Sequence, residues 1–298
     1  MKKIAIVFSF ILPLVTIAQV GIGTNTPASS AQLEVSSTSK GYLMPRMTAT
    51  ERNAIVNPAN GLQIFNTTTG CINLYKVNAW FEVCGVNLVA LYSTGSVFCA
   101  SGATVIVDVT NPTTGKTWMD RNLGATQLAT SATDAAAYGD LYQWGRRSDG
   151  HQCRTSATTT ILSTTDQPGN GNFVLATSTP NDWRSPQNNN LWQGINGINN
   201  PCPTGYYIPS ETELNNERLT WSSNNSTGAF LSPLKLTLAG IRDGSDGSLN
   251  SLATNSRYWS STIQGLSSIS LTLSSSGSLM SGTSIGRVTG CSVRCIKN

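Results

Sequence analysis

The sequence predicts a protein of mixed strands and helices, with a leader over 1–18, a β-rich segment over 19–87 and a larger domain over 88–298. Two patterns predict this mixture. Apolar and polar residues alternate in short stretches bounded by Gly, Pro and Asn, which is typical of strands. Thr48 and Ser210 each precede a glutamate by three residues, and this capping-box spacing predicts that a helix begins at each.

The leader has the form of a signal peptide. Lys2 and Lys3 precede an apolar run over 4–17, and residues 16–18 give a small-x-small cleavage site. The run is shorter than the ~20 residues that cross a bilayer, and no later stretch approaches that length. We therefore expect a mature chain that starts at Gln19, is exported, and has no transmembrane segment. Its expected location is extracellular or at the outer cell surface.

Composition excludes two further classes. Hydrophobic residues make up 39% of the chain and seven tryptophans are present, which excludes a disordered protein. The formal charge is +4, and removal of Lys2 and Lys3 leaves +2 (4 − 2). A chain this weakly charged, with no basic cluster, has no electrostatic footprint for nucleic acid. No cofactor is predicted.

The segment 19–87 is predicted to be a small β unit with one helix. The predicted strands lie at 20–24, 33–35, 61–66, 74–76 and 79–83, and the helix at 48–56. Val77 and Asn78 would form the turn of a hairpin between the last two strands. Few of these residues could build an independent core, and so lean a segment usually requires a staple or identical neighbours. We therefore expect a homo-oligomer assembled through 19–87, with a trimer as the expected form.

The domain 88–298 is predicted to combine strands, helices and long loops. Strands are expected at 104–109, 118–120 and 234–241, helices at 133–144 and after Ser210, an irregular excursion at 155–180 and an Asn-rich loop at 181–200. In the helix at 133–144, Tyr138, Leu141 and Trp144 would share one face. Most tryptophans are expected to lie in the core.

The C-terminal forty residues contain a strictly alternating run. Ile269, Leu271 and Leu273 fall on one parity, and small hydroxyl residues fall on the other. A period of two places these sets on opposite faces of a sheet. The pattern predicts a rigid sheet that displays a neutral hydroxyl surface, and this favours binding over catalysis.

Seven cysteines in an exported chain indicate three disulfides and one free thiol. The expected pairs are Cys71 with Cys84, Cys99 with Cys153, and Cys202 with Cys295. This assignment leaves Cys291 unpaired. Pairing of Cys202 with Cys291, which would free Cys295, stays open as an alternative. The spacings are not C-x-x-C and the only histidine is His151, so no metal site is predicted.

Catalytic and lectin-type motifs are weak in this sequence. His151 lies in a Gly/Asp loop without a nucleophile elbow, so a Ser-His-Asp arrangement is not expected. Calcium-dependent sugar binding would need clustered oxygen ligands. Only 181–183 and 243–246 suggest such a cluster, and Asp-Gly pairs mark turns more often. The protein is therefore not expected to be an enzyme.

Part of the segment 19–87 resembles the N-terminal stretch of exported Bacteroidetes-type surface and tail-fibre-like proteins. The resemblance rests on VGIGT at 20–24, GYLMPRM at 41–47 and GLQIFNT at 61–67. The resemblance implies a stalk or attachment module, with a trimer as the expected assembly.

Five blocks of the larger domain resemble the Fibrobacter succinogenes major paralogous domain. They are WMDRNLGA at 118–125, GDLYQWGR at 139–146, CPTGYYIPS at 202–210, YWSST at 258–262 and VRC at 293–295. That family is similar to the C-type-lectin-like fold of formylglycine-generating enzymes and diversified phage receptor-binding proteins. The resemblance implies an α+β domain with two helices around a small twisted antiparallel sheet and long loops on one side.

The same resemblance implies that the run 265–291 could be diversified by adenine mutagenesis, as a diversity-generating retroelement target. An ordinary Ser-rich strand is the alternative. The leading hypothesis is thus an exported adhesin-like or receptor-binding-like fibre-tip protein whose ligand is an unknown protein or glycan. Its expected ligand-binding face comprises Ser270, Thr272, Ser274, Gly277, Leu279, Ser281, Thr283, Ile285 and Thr289. A structural fibre component without a ligand is the main alternative, and a formylglycine-generating-type oxidase is a weaker one.

Overall fold

The computed structural model describes residues 19–83, 91–99, 102–281 and 285–298. The predicted signal peptide, Cys84 and Thr283 lie outside these residues. The chain divides into two compact units between Val86 and Asn87. Short strands and a few helices make up both units, so the prediction of a mixed α+β protein is confirmed.

Residues 19–83 of the N-terminal unit form six strands and one short helix, α1. Their bounds are β1 Val20–Ile22, β2 Leu33–Val35, β3 Arg46–Met47, α1 Ala49–Asn53, β4 Gln63–Asn66, β5 Cys71–Lys76 and β6 Ala79–Val83. β1 and β2 form a parallel pair, and the other four strands form a sheet in the order β3-β4-β5-β6. The predicted hairpin is confirmed: Val77 and Asn78 turn β5 into β6 with φ of 49° and 61°.

The N-terminal unit has almost no interior. Across 19–83 only four side chains are buried, and they are Ile64, Asn66, Cys71 and Asn73. Two of the four are asparagines, so one aliphatic side chain and one sulfur make up the buried apolar content. A hydrophobic core of this size does not stabilise a segment of this length alone.

In the described part of the C-terminal unit there are thirteen strands and two α-helices. The first strands are β7 Asp108–Thr110, β8 Thr117–Met119, β9 Tyr142–Gln143, β10 Thr158–Thr159, β11 Phe173–Val174 and β12 Tyr206–Tyr207. The helices α2 Glu211–Arg218 and α3 Ser226–Leu231 follow. The remaining strands are β13 Ile241–Arg242, β14 Leu249–Asn250, β15 Asn255–Gln264, β16 Ser267–Ser274, β17 Ser278–Ser281, β18 Gly290–Cys291 and β19 Ile296–Lys297.

These strands form several small sheets. Two sheets have four strands each, in the orders β12-β19-β8-β7 and β14-β13-β18-β9. A third, antiparallel sheet has the order β15-β16-β17, and β10 pairs with β11. The last residues of the chain therefore lie inside a sheet, because β19 pairs with both β8 and β12.

The five sequence blocks that carry the family resemblance meet in one buried cluster. Its members from those blocks are Met119, Leu123, Tyr142, Trp144, Cys202, Tyr206, Ile208, Trp259, Val293 and Cys295. A second cluster joins α2 to the sheet β15-β16-β17 through Leu214, Tyr258, Leu271 and Leu273. Trp118, Trp144, Trp183, Trp192 and Trp259 are all fully buried, as expected for core tryptophans.

A buried guanidinium fastens the C-terminal segment to the rest of this unit. Arg294 is 2% exposed. Its Nε and Nη2 donate to Asn122 Oδ1 at 3.1 and 2.8 Å. Its Nη1 donates to the carbonyls of Met119 and Leu234 at 3.2 and 2.6 Å. Burial lowers the pKa of Arg294 to about 10, so the group is still charged at neutral pH.

Two disulfides crosslink the C-terminal unit. They join Cys99 to Cys153 and Cys202 to Cys295, the pairs that the sequence analysis favours. Cys291 is a buried free cysteine, and its pairing with Cys202 is therefore wrong. In the N-terminal unit Cys71 is disulfide-bonded.

Both capping-box predictions are confirmed. Thr48 caps α1 and accepts from the Glu51 amide, and Ser210 caps α2 and accepts from the Glu213 amide. α1 ends at Asn53, so it is shorter than the helix expected over 48–56, and none of its residues is buried.

Three other expectations differ from the structure. The helix expected over 133–144 is wrong: only a 3₁₀ turn at Ala135–Ala137 forms, and β9 follows. Gly139 has a φ of 69°, which ends a right-handed helical path. The strands expected over 104–109 and 234–241 are mostly irregular, with only β7 and the first residue of β13 in strand form. Leu234, Leu236 and Leu238 are buried there without sheet pairing.

Candidate functional site

The expected ligand-binding face centres on β16, and its alternation is confirmed. Leu271 and Leu273 pack into the cluster under α2, and Ser270 and Thr272 point to the other side of the sheet. The expected display of Ser270 is wrong, however, because its side chain is 0% exposed. β16 is the central strand, so Trp259 of β15 and Ser281 of β17 flank Ser270 on the same face.

The other expected positions do not form one open surface. Thr289 is buried at 9% exposure, and Leu279 is exposed at 54%. Thr272, Ser274, Gly277, Ser281 and Ile285 are half-buried. The hydroxyl oxygens of Ser268, Ser270 and Thr272 are buried without a hydrogen-bond partner in the protein. A ligand on the sheet surface would not reach them, so this strand is mainly part of the scaffold.

Two adjoining clefts lie elsewhere in the C-terminal unit. The larger has a volume of about 380 Å³ and the smaller about 330 Å³. Both are lined by Ala176, Thr177 and Ser245, so they share a rim. Ile285 and Thr289, two of the expected ligand-binding residues, line the smaller cleft. The clefts are therefore the candidate binding site.

The walls of the clefts are three loops held at close range. The amide of Ala176 donates to Gly244 O at 2.9 Å, and the amide of Val288 donates to Asn181 O at 3.0 Å. Gly286 packs so closely that a Cβ there would lie 2.3 Å from Asn181 Cβ. These contacts preform the clefts, which reduces the ordering cost of binding.

The larger cleft is lined mainly by hydroxyl and aliphatic groups. Its polar residues include Thr160, Thr177, Ser178, Thr179, Ser185 and Ser245, and its aliphatic ones Leu162, Leu175, Ala176 and Pro180. Two charged residues also line it, and both have partners. Arg184 lies 2.8 Å from Asp166, and Asp182 accepts from Gln187 at 2.9 Å.

Asp182 is committed to the scaffold rather than offered to a ligand. It is 5% exposed, and its Oδ2 lies 3.7 Å from the Arg287 guanidinium. Burial raises the pKa of Asp182 against the opposing effects of Gln187 and Arg287. Apart from the paired residues Asp182 and Arg184, the cleft is lined by neutral hydroxyl and aliphatic groups. Within the described residues no three His, Cys, Asp or Glu side chains form a metal-binding group.

His151 is a buried anchor and not a surface loop residue. Its Nδ1 lies 2.6 Å from Asp149 Oδ1, and its Nε2 accepts from the Gln143 amide at 3.0 Å. Arg146 binds the other oxygen of Asp149 at 2.8 Å. Burial lowers the pKa of His151 to about 4, so the imidazole is neutral and carries its proton on Nδ1. A triad histidine would face a serine with Nε2, which here faces the main chain.

Two buried groups, His151 and Asp140, should change the free energy of unfolding in opposite directions as the pH falls. Burial lowers the pKa of His151 to about 4 from 6.5, so acidification below 6.5 favours the unfolded chain. Burial raises the pKa of Asp140 to about 7 from 3.8, so the same acidification favours the folded chain through this group. We expect Asp140→Asn to lose stability more steeply than the wild type between pH 6.5 and 4, as measured by urea unfolding.

The exposed carboxylate of Asp246 provides the matched control. Its pKa is lowered by its hydrogen bonds to Ser248, so it titrates below this window. Asp246→Asn should therefore keep the wild-type slope. If the free energy of unfolding changed equally with pH in Asp140→Asn and in the wild type, the raised pKa of Asp140 would be contradicted.

Cys291 is chemically shielded. It is 0% exposed within the cluster that also holds the Cys202–Cys295 disulfide, and burial raises the pKa of its thiol. Thiolate is the reactive form of cysteine, so both effects suppress its reactivity.

We expect no reaction of native protein with an aromatic disulfide reagent. One thiol per chain should react after denaturation without reductant, on the expectation that Cys71 is bonded to Cys84. A thiol that reacts rapidly in the native protein would contradict this prediction. Such a result would also support the alternative of a formylglycine-generating-type oxidase, which requires a reactive cysteine.

Comparison with known proteins gives one finding. Residues 21–97 match the model of a family described as the phage tail like trimerisation region. No curated protein matches the chain, and no solved structure does. The matched stretch covers about a quarter of the chain and includes every strand of the N-terminal unit except the first residue of β1. The finding supports a fibre-like or tail-like structural component that forms homo-oligomers.

The described residues also bear on localisation. Among them no helix is both long and apolar enough to cross a membrane. The disulfides are compatible with an exported protein.

Sequence reasoning missed the clefts because their residues carry no motif. The stretch 155–180 is predicted to be irregular, and 181–183 and 243–246 attract attention only as weak candidates for a calcium site. Asp182 is instead used by Gln187 and Arg287. Hydroxyl residues that line a cleft and hydroxyl residues in an ordinary loop have the same local sequence pattern, so tertiary contacts alone distinguish them.

Proposed function

We propose that the protein is an exported fibre-type component that forms a homotrimer through its N-terminal unit and binds a ligand through its C-terminal unit. The observation that carries this proposal is the match of residues 21–97 to a phage-tail-like trimerisation region. The thin interior of 19–83 supports it, because a segment with four buried side chains gains stability from identical neighbours.

The C-terminal unit is proposed to have a C-type-lectin-like fold of the major paralogous type. All five resemblance blocks supply side chains to one buried cluster, and the chain end is fixed between β8 and β12. Long irregular loops surround the small sheets, and three of them form the clefts. Such an arrangement lets loop residues differ while the core is kept, which suits a recognition domain.

The ligand is proposed to be a protein or glycan on another cell or surface. The cleft offers small neutral groups and lacks the Trp, Tyr and exposed Arg that anchor strong interfaces. Single-site affinity should therefore be weak. Three copies on one fibre would raise the apparent affinity by avidity.

The first test is the molar mass of the mature chain 19–298 by light scattering. A trimer supports the proposal, and a monomer at micromolar concentration contradicts it.

The trimer is then applied to glycan and protein arrays, with Thr177→Trp as a variant that fills the shared rim of both clefts. Thr212→Trp on the exposed side of α2 introduces the same bulk elsewhere. Loss of array signal in Thr177→Trp alone supports the cleft as the site.

A structural fibre component without a specific ligand is the second candidate. The family match favours it directly, because that match concerns trimerisation and no recognition residue. Sequences of sibling proteins from one genome would separate the two. Variation concentrated at cleft residues such as Thr177, Ser245 and Ile285 favours binding, and uniform drift favours a purely structural role.

A further inference from the structure

The four-stranded sheet of the N-terminal unit has two chemically different faces. Asn66, Asn73 and Glu82 lie on one face, which they share with Ile64, Cys71, Tyr75 and Trp80. Arg52 Nη1 donates to Asn73 Oδ1 at 2.6 Å and lies 3.5 Å from Glu82. Its guanidinium carbon also lies 5.7 Å from the Trp80 ring centroid. Arg52 of α1 therefore binds the polar groups of this mixed face within the chain.

The opposite face is apolar. The strand register places Phe65, Ile72 and Val83 in one cross-strand row. Gln63, Leu74 and Phe81 form the next row. Directly opposed residues project from the same side of a sheet. Five of these six side chains are apolar, and we call the surface made by Phe65, Ile72, Leu74, Phe81 and Val83 the apolar sheet face.

The apolar sheet face is open in the single chain. Phe81 is 50% exposed and Val83 57% exposed, and the other three side chains are half-buried. A sheet normally covers its apolar face with a second layer. Contiguous apolar patches of this kind mark interaction sites. Two charged residues flank it: Arg46, whose guanidinium carbon lies 5.5 Å from the Phe65 ring centroid, and Lys76 at the end of β5.

We propose that the apolar sheet face is the surface on which copies of this chain meet in the trimer. The inference rests on the proposed homotrimer and assigns its contact surface. The occupant is a second copy, because the trimerisation match spans β2 to β6 entirely and so includes this sheet. Three such faces turned toward a common axis would give the N-terminal unit the hydrophobic core that one copy lacks.

A second apolar surface competes for this role. In the parallel pair β1–β2, Val20 is opposite Leu33 and Ile22 is opposite Val35, with exposures between 41% and 57%. This surface has only two short strands behind it, whereas the apolar sheet face is built on four paired strands. A rigid, wider sheet is the better platform for a stable interface.

The test uses the mature chain 19–298, three matched substitutions, and Leu33→Glu as a fourth variant on the competing β1–β2 surface. Val83→Glu and Phe81→Glu place a carboxylate on the apolar sheet face. Val56→Glu makes the same exchange at a residue that is 82% exposed and belongs to no strand. We expect a threefold fall in molar mass for Val83→Glu and Phe81→Glu by sedimentation velocity, and no change for Val56→Glu.

Each outcome decides a separate point. A monomeric wild type contradicts the proposed homotrimer itself. A trimeric wild type with trimeric Phe81→Glu and Val83→Glu overturns the assignment of the face and keeps the trimer. Dissociation by Leu33→Glu alone also overturns it, by assigning the contact to β1–β2. Dissociation by Val56→Glu as well would show a non-specific charge effect and overturn it too.

A measurement without substitutions guards against misfolded variants. Carbene footprinting of the wild-type trimer labels side chains that solvent reaches. Phe81 should be labelled several-fold less than its 50% exposure in the single chain predicts, relative to Val56. Labelling of Phe81 in proportion to that exposure would overturn the inference.

Discussion

Removal of the Cys202–Cys295 disulfide by a double serine substitution is expected to destabilise the C-terminal unit by about 4 kcal/mol. The bond closes a loop of 93 residues, and a crosslink of that span strongly restricts the unfolded chain. Both cysteines also lie in the main buried cluster, and the residues are 4% and 0% exposed. Two hydroxyls there would lack the packing and the apolar character of the disulfide. Urea unfolding of mature wild type and variant measures the difference.

The Cys99–Cys153 disulfide provides the comparison. It closes a shorter loop, with a separation of 54 residues. Loop length alone would make its removal about 0.5 kcal/mol less costly. Cys99 is exposed and Cys153 half-buried, so serine there adds little further cost. An equal loss of stability in the two double variants would contradict the prediction that loop length and burial make the Cys202–Cys295 bond the more stabilising one.

Local features of the fold could be predicted where a short segment determines its own geometry. The capping boxes at Thr48 and Ser210 fixed two helix starts, because the hydrogen bonds involved span three residues. The hairpin at Val77 and Asn78 was found for the same reason. The alternation in β16 correctly separated its two faces.

Burial could not be predicted from that alternation. A period of two shows which side chains share a face, and does not show what covers the face. Ser270 is fully enclosed because β16 has a strand on each side and Trp259 beside it. For Leu234 to Leu238, burial is the expected outcome but the backbone conformation is not. Their apolar spacing suggested a strand, whereas they are buried in irregular backbone and contribute carbonyls to other segments.

The candidate site was only partly accessible to sequence reasoning. Ile285 and Thr289 were expected to contact a ligand and do line the smaller cleft. The opposite wall, from Ala176 to Asn181, is about 100 residues away in the chain and carries no pattern that points to it. The apolar sheet face was equally hidden, because its apolar residues resemble those of an ordinary strand core.

Arg294 is the single side chain whose loss should most damage the C-terminal unit. It is fully enclosed, and its four hydrogen bonds reach Asn122, Met119 and Leu234. Asn122 in turn donates to the Tyr138 carbonyl at 3.1 Å, so the network extends toward β9. The sequence block around Arg294 was recognised by resemblance, and the structure gives its physical reason: one guanidinium joins the chain end to two distant segments.

Arg294→Met is expected to lower the free energy of unfolding by about 3 to 5 kcal/mol, because three buried acceptors lose their donor at roughly 1 to 3 kcal/mol each. Methionine fills much of the volume but leaves the Asn122 amide oxygen and two main-chain carbonyls buried without donors, and each such acceptor is costly. Arg294→Lys should recover only part of the loss, because one ammonium cannot reach all three acceptors with the geometry of a planar guanidinium.

Arg218→Met on α2 is the control. The Arg218 guanidinium binds the side chains of Asn215 and Asn224 near the surface. Arg218→Met should lower the free energy of unfolding by less than about 1 kcal/mol. Similar urea midpoints for Arg294→Met and Arg218→Met would contradict a stabilising role of the buried Arg294 network.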